Sequence, residues 1–193
     1  MPPGFELDEL NNFLYADSCI GQFVRTARQA PYFDNTLFVF VGDHGVHLRG
    51  AELIPIDEYI VPALFLAPKH VAARHIDTVT SQIDLPPTIM GMLGGEYRST
   101  FLGRDVRKGQ ADDPFAMVIY NKKRYGIIAD RELIVLRESG DRLAYKRAAH
   151  GKPWSQMAMT AAQAERTQDG LSILRCAEDL LVSGRYHTKP SAL

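Results

Sequence analysis

The sequence predicts an α/β layer followed by a small α+β subdomain. Helical and extended apolar patterns alternate through the first part of the chain, up to about residue 110. From residue 115 four short strand patterns follow one another, separated by turn residues, before a last helix. We therefore expect two parts: a partial sheet with flanking helices in residues 1–110, and a small antiparallel four-stranded meander with a helix in residues 111–193.

The first part opens with a predicted amphipathic helix over residues 7–30. Apolar residues recur there at three- and four-residue steps from Leu7 to Ala27, and Pro31 ends the pattern. The continuous apolar run "TLFVFV" that follows is typical of a strand covered on both faces. "IVPALFLA" predicts a second buried strand, with Pro62 near its start because proline lacks the ladder donor.

Two further helices are predicted, one in each part. In "SQIDLPPTIMGMLGG", Asp84 is the expected cap and Gly94 with Gly95 the expected stop. The second helix covers about residues 160–183. Between them, the four strand patterns of the meander are "FAMVIYN", "RYGIIAD", "ELIVLRE" and "RLAYKRA".

Composition excludes several classes of protein. The chain has 193 residues, 46% of them hydrophobic and 23% charged, which is ordinary for a globular domain and argues against disorder. The formal net charge of −1 gives no basic face, so we expect no nucleic-acid partner. No apolar run approaches the roughly 18 residues of a membrane span, and the opening residues are no signal peptide, so we expect a soluble chain. Cys19 and Cys176 fall inside predicted helices, and we expect buried thiols.

The stretch "FVFVGDHGVHLRG" carries the chemistry. Asp43 and His44 follow a predicted buried strand, at the kind of strand end where α/β proteins bind ligands. A carboxylate there must be paired, hydrogen-bonded or metal-bound, and carboxylate oxygen with imidazole nitrogen suits a divalent cation. Neighbouring side chains on a strand point to opposite faces, so both reach one ion only if the chain turns, which Gly42 and Gly45 allow. The alternative is that Asp43 caps a loop and His44 bonds to the backbone.

Several segments together resemble the carboxy-terminal half of a sulfatase-like catalytic domain. They are "YADSCIGQFVRTARQAPYFDNTLFVFVGDHG", "IPIDEYIVPALFLAP", "VTSQIDLPPTIMGMLGG" and "FLGRDV", in that order. The resemblance is greatest to the lipoteichoic-acid-synthase-like phosphoglycerol transferases of the alkaline phosphatase superfamily. It implies a partial alkaline-phosphatase-like sheet over about residues 8–106, and the meander with its helix is similar to the family's terminal subdomain.

The resemblance assigns roles to four residues. Asp43 and His44 match two metal ligands of the family, and the implied ion is Mn²⁺, with Mg²⁺, Ca²⁺ or Zn²⁺ as alternatives. His47 and Arg49 occupy the loop that approaches the anionic phosphate or sulfate ester substrate. A solvated loop residue is the alternative for His47, and a surface ion pair is the alternative for Arg49. The interval "LRGAELIPIDEYIVP" contains no histidine, which favours one metal over two.

The resemblance also implies residues that this chain does not show. The family's hydroxyl nucleophile and an acidic ligand lie well before the G-D-H strand, and none of Thr36, Thr80 and Thr88 matches the nucleophile. We therefore expect half of a catalytic domain, the metal-binding half of a phosphoglycerol transferase or ester hydrolase whose parent protein is membrane-anchored with an extracytoplasmic catalytic domain. The alternative is a catalytically silent fragment or interaction module. An open strand edge would favour a homo-oligomer, or pairing with a missing amino-terminal half.

Overall fold

The chain folds into two compact units, Met1–His75 and Ile76–Leu193. The structure is a computed structural model, and it describes residues 7–45, 54–108, 114–120, 124–150 and 152–187. The boundary expected at residue 110 lies inside the second unit and stays a prediction about the two parts of the sequence. Among the described residues, no helix is both long and apolar enough to cross a bilayer.

The first unit places one long helix beside a two-stranded sheet. Its elements are helix α1 (Leu7–Ala27), strand β1 (Phe38–Val41) and strand β2 (Ala63–Leu66), with 3₁₀ turns at Phe33–Asn35 and Ile56–Tyr59. The strands are antiparallel, with Phe38 opposite Leu66 and Val41 opposite Ala63. The Phe23 ring of α1 packs edge-on against Phe38 and Phe40, with centroids 6.0 and 6.3 Å apart.

The two strands are not buried, which corrects the sequence-based prediction. Val41 and Leu64 are exposed, and the other three residues of β1 are only half-buried. A run of apolar residues shows that a strand needs cover on both faces, but it does not show that the same chain provides that cover. In the described residues, aromatic packing onto β1 comes from Phe23 and Phe33.

The second unit contains the predicted meander. Four strands match the four predicted patterns: β3 (Ala116–Tyr120), β4 (Arg124–Ala129), β5 (Glu132–Arg137) and β6 (Arg142–Lys146). A fifth strand, β7 (Ser155–Met157), was not predicted, because two of its three residues are polar. All neighbours in the order β3-β4-β5-β6-β7 are antiparallel.

Helices α2 (Leu85–Leu93) and α3 (Ala161–Ser183) complete the second unit. Thr160 and Gln163 form a reciprocal capping box at the start of α3, and Gly184 ends it in the left-handed region. Gly170 of α3 faces Ile127 of the core so closely that an added Cβ would lie 2.8 Å from the Ile127 Cδ1 atom. The close approach explains why glycine occupies this position. The other buried residues of α3 are polar, and they are Gln163, Arg166 and Thr167.

Both cysteines are free and exposed, contrary to the expectation of buried thiols. Cys19 lies in a part of α1 where residues 11–20 are all exposed. Cys176 lies beyond the part of α3 whose residues are buried. In both helices the chain extends past the surface that it packs against, and the residue type alone did not reveal this.

Two motifs of the second unit interlock through a buried carboxylate. Asp84 accepts hydrogen bonds from the backbone N–H of Ser81 at 2.9 Å and of Arg104 at 2.8 Å. The hydroxyl of Thr88 accepts from the Val106 N–H at 3.2 Å. Asp84 was predicted to cap α2, but its side chain makes no capping bond to that helix. It joins "SQID" to "GRD", so these motifs have a structural role here.

Candidate functional site

The candidate site is the turn Gly42–Gly45, which follows β1 directly. Backbone hydrogen bonds fix both ends of this turn to the segment that leads into β2. The Gly42 N–H donates to the Pro62 carbonyl at 3.3 Å, and the Gly45 N–H donates to the Glu58 carbonyl at 2.9 Å. The backbone that carries Asp43 and His44 is therefore held by two main-chain anchors.

Close backbone approach explains the two glycines. Neither is among the glycines of positive φ, so the turn does not need the conformational freedom that the sequence suggested. A Cβ on Gly42 would lie 3.1 Å from the Val61 Cβ atom, and a Cβ on Gly45 would overlap the Glu58 carbonyl oxygen. Only glycine lets the chain lie this close to the neighbouring segment.

The side chains of Asp43 and His44 converge. The Asp43 Oδ2 atom lies 3.6 Å from the His44 Nε2 atom, and the other carboxylate oxygen accepts the His44 backbone N–H at 2.8 Å. The His44 Nδ1 atom lies 2.9 Å from the Gly45 carbonyl oxygen. Because a carbonyl can only accept, this contact places a proton on Nδ1, and in the neutral imidazole the lone pair is then on Nε2, the nitrogen beside the carboxylate.

These residues fit a divalent cation as two of its ligands. Ligand atoms about 2.1 Å from one ion and roughly at right angles or wider lie about 3–3.5 Å apart, close to the observed separation. A histidine ligand commonly donates its other ring nitrogen to a carbonyl, as His44 does to Gly45. Both side chains are solvent-accessible, at 70% for His44 and 89% for Asp43. Within the ranges given above, no group of three or more His, Cys, Asp or Glu side chains is placed to hold a metal.

His47 and Arg49, the predicted substrate-binding residues, lie outside the described residues. Their roles stay predictions.

Each of the three threonines examined as a nucleophile bonds to nearby backbone. Thr36 donates to the Tyr32 carbonyl at 2.7 Å and Thr80 to the Thr78 carbonyl at 2.8 Å. Thr88 bonds to the segment after Gly103. These hydroxyls therefore stabilise local structure.

The second unit contains a cavity of about 920 Å³ lined by side chains of both charges. Four of the charged lining residues pair with one another: Arg166 bonds to Glu132 at 2.8 Å, and Arg131 lies 3.4 Å from Asp130. Asp130 has a positive φ of 46°, as the first residue of the tight turn between β4 and β5. Since its charges largely offset one another, the cavity indicates no ligand class.

The "GRD" motif carries a paired carboxylate. Arg107 donates to both oxygens of Asp105, from Nη2 at 2.7 Å and from Nε at 3.0 Å. The Asp105 side chain is only 6% exposed. Hydrogen bonds from the Arg107 side chain hold the pKa of Asp105 below its ordinary value, and the same bonds raise the pKa of Arg107.

Sequence analysis missed the partners that position these residues. The anchors at Glu58 and Pro62 act through carbonyl groups, which no residue type reveals. The bond between Ser81 and Asp84 did have a signal, because Ser followed three residues later by an acid is the pattern of a capping box.

Comparison with known proteins finds similarity in both sequence and fold. Residues 8–95 match the Sulfatase family model, so this stretch is similar to part of a sulfatase domain. A crystal structure of an alkaline phosphatase superfamily protein from Vibrio parahaemolyticus superposes with a TM-score of 0.82 at 23% identity, covering 98% of this chain and 47% of that one. The fold of this chain is therefore similar to that of about half of this superfamily protein.

Two curated relatives carry sulfatase names. One, named Sulfatase, from Formosa agariphila, is 22% identical over 150 residues, which make up 72% of this chain and 30% of the relative. The other is Arylsulfatase K of Canis lupus familiaris, 23% identical over 108 residues, or 51% of this chain and 20% of the relative. The chain thus spans less than a third of either relative.

Proposed function

We propose that this chain supplies part of a catalytic domain that cleaves sulfate esters, and that Asp43 and His44 hold its divalent cation. The observation that carries the proposal is the 3.6 Å approach of the Asp43 carboxylate to the His44 imidazole, in a turn anchored at both ends. The match of residues 8–95 to the Sulfatase family supports the choice of ester.

When bound, the cation polarises an oxygen of the ester's anionic group and favours attack by a hydroxyl nucleophile. The chain's own residues prepare the site for it. The Gly45 carbonyl orients the His44 ring, and the anchors at Glu58 and Pro62 hold the turn in place. Mn²⁺ is the ion implied by the resemblance, with Mg²⁺, Ca²⁺ and Zn²⁺ as alternatives that share oxygen and nitrogen ligands.

The substrate class follows from the same chemistry. The ester is anionic, and we propose that His47 and Arg49 bind its charged group, since an arginine fork suits such oxyanions. Phosphoglycerol transfer is the related activity to which the motifs point. A sulfate ester and a phosphodiester, assayed side by side on the parent enzyme, distinguish the two.

Metal binding by the 193-residue chain tests the proposal directly. Mn²⁺ is titrated against the chain, and the paramagnetic broadening of the His44 ring signals is followed by NMR. We expect those signals to broaden first, and Asp43→Ala to weaken the apparent affinity at least tenfold, because it removes one of two donors. Asp130→Asn is the matched control, an exposed aspartate in another turn, and should leave the titration unchanged. Equal Mn²⁺ affinity in Asp43→Ala and the unaltered chain would contradict the proposal.

A catalytically silent module is the second candidate. It is favoured by the local hydrogen bonds of Thr36, Thr80 and Thr88, none of which is placed as a nucleophile. The purified chain is assayed on a chromogenic sulfate ester and a chromogenic phosphodiester, each with Mn²⁺. We expect no turnover by the chain alone. Metal-dependent turnover that His44→Ala abolishes would rule out the silent module.

A further inference from the structure

The Arg147 side chain contacts both a histidine and the single tryptophan of the chain. Arg147 follows strand β6 directly and is only 5% exposed. Its Nη2 atom lies 2.7 Å from the His150 Nδ1 atom, and its guanidinium carbon lies 4.6 Å from the centre of the Trp154 ring. A guanidinium over an indole face is an attractive cation–π contact. Arg147, His150 and Trp154 therefore form one group of interacting side chains, which we call the Arg147 cluster.

The bond between Arg147 and His150 requires a neutral imidazole. Every nitrogen of a guanidinium is a donor, so the His150 Nδ1 atom accepts in this contact and the ring proton lies on Nε2. A protonated imidazole has donors on both nitrogens and no acceptor, and it places a second positive charge beside the guanidinium. Protonation of His150 therefore replaces a hydrogen bond by repulsion. Because His150 is exposed, its ring can turn towards water when this happens.

The position of Trp154 depends on Arg147. The indole Nε1 atom of Trp154 is buried and has no hydrogen-bond partner in the part of the chain that the structure describes. Burial of such a donor costs free energy, and the stacking on Arg147 offsets that cost. The Arg147 backbone is fixed separately, since its N–H donates to the Arg131 carbonyl at 3.0 Å. A change at His150 should therefore move side chains of the cluster and leave strand β6 in place.

Other charged groups face Arg147 across the cavity of the second unit. They come from the segment before α2, the β4–β5 turn, β5, β6 and α3, and they are Asp77, Asp130, Arg131, Glu132, Lys146 and Arg166. Beside His150 itself, Lys152 is the nearest charged residue in the sequence. Carboxylates, lysine and arginine ordinarily keep their charge between pH 5 and 8, whereas histidine changes its charge there. His150 is thus the residue type in this surrounding that responds to a mild fall in pH.

We propose that His150 is a pH-sensitive latch on the Arg147 cluster: the neutral ring holds Arg147 against Trp154, and the protonated ring releases Arg147 and opens Trp154 to water. The latch is closed at pH values where histidine is neutral and opens as the pH falls through the range in which histidine titrates. Since Arg147 also lines the cavity, its release changes one wall of that cavity. This inference does not depend on the cation at Asp43 and His44.

Acrylamide quenching of Trp154 fluorescence tests the latch in the 193-residue chain. We expect the quenching constant to be at least about twofold higher at pH 5 than at pH 8, the two ends of the range in which histidine titrates. His150→Gln should stay protected at both pH values, because the glutamine oxygen accepts from Arg147 and does not titrate. His150→Lys introduces a permanent cation and should be strongly quenched at both. His187→Gln, at an exposed histidine elsewhere in the second unit, is the control and should keep the pH dependence.

Four results would overturn the proposal. The first is equal quenching of the unaltered chain at pH 5 and pH 8. The second is the same pH dependence in His150→Gln, which would assign the change to another group. The third is a His150→Lys variant that is as protected at pH 8 as His150→Gln. The fourth is a loss of circular dichroism that accompanies the quenching at pH 5, because the whole unit and not the latch would then be opening.

Discussion

At the scale of single residues, the position of the candidate site depends on contacts that involve no side-chain chemistry. Gly42 and Gly45 hold the turn by their N–H groups and by the absence of a Cβ. The sequence allowed us to predict that Asp43 and His44 lie in a turn. It did not show why glycine is needed, because the reason is the backbone of residues 58–62, which is distant in sequence and adjacent in space.

Replacing Gly45 by alanine should destabilise the first unit. The new Cβ would overlap the Glu58 carbonyl oxygen, so the turn has to move and the anchor hydrogen bond lengthens. We expect the free energy of unfolding to fall by about 1–3 kcal/mol, and Mn²⁺ binding to weaken. Urea denaturation monitored by circular dichroism measures the change in stability. Gly21→Ala in α1 is the control, since alanine favours helix and the nearest atom is the end of a flexible arginine. An unchanged urea midpoint in Gly45→Ala would show that the turn is not held by this contact.

At the scale of elements, prediction succeeded where local pattern determines structure. The four strands of the meander and the three helices were all predicted, because alternation, turn residues and caps act within a few residues. Strand β7 was missed because Ser155 and Gln156 carry no strand pattern, and its pairing comes from the neighbouring β6. The burial of β1 and β2 was predicted wrongly, since burial depends on what covers a strand. The residue types of Asp43 and His44 indicated that the two could share one cation. They did not indicate how far apart the two side chains lie.

The ion pair after α2 makes the second unit sensitive to acid. Because the pKa of Asp105 is lowered in the folded state, its stabilisation is fully present above the unfolded pKa of about 3.9 and is lost as the pH falls through the lower folded value. Arg107→Gln should cost about 1–3 kcal/mol at pH 7, because the buried Asp105 carboxylate loses its two guanidinium donors and keeps only the backbone N–H of residue 107. The difference between parent and variant, measured by urea denaturation followed through Trp154 fluorescence, should shrink below about pH 4.

Arg185→Gln is a suitable control for that experiment. Arg185 also pairs with an aspartate, Asp179, but both side chains are largely exposed, so we expect little effect at either pH. If the cost of Arg107→Gln is the same at pH 3 and pH 7, the ion pair is not the source of the acid sensitivity.

At the scale of the whole molecule, the two units differ in how completely they are packed. The second unit has a five-stranded sheet around a core of Ile127, Ile134 and Leu136, with α3 against it. The first unit has two strands and a helix that is exposed over residues 11–20. A chain built in this way should not unfold in a single step, because residues 11–20 of its first helix are exposed whereas the core of the second unit is buried.

Urea denaturation of the 193-residue chain should therefore give two transitions. Trp154 is the single tryptophan and lies beside Arg147 in the second unit, so its fluorescence reports on that unit alone. Circular dichroism at 222 nm also reports on α1, which contributes 21 helical residues beside the 23 of α3. We expect the dichroism signal to fall at lower urea than the fluorescence.

Ile134→Val should lower only the later transition, by about 0.5–1.5 kcal/mol, because that side chain is fully buried in the second unit. Coincident transitions would mean instead that the exposed helix is stabilised as strongly as the five-stranded core.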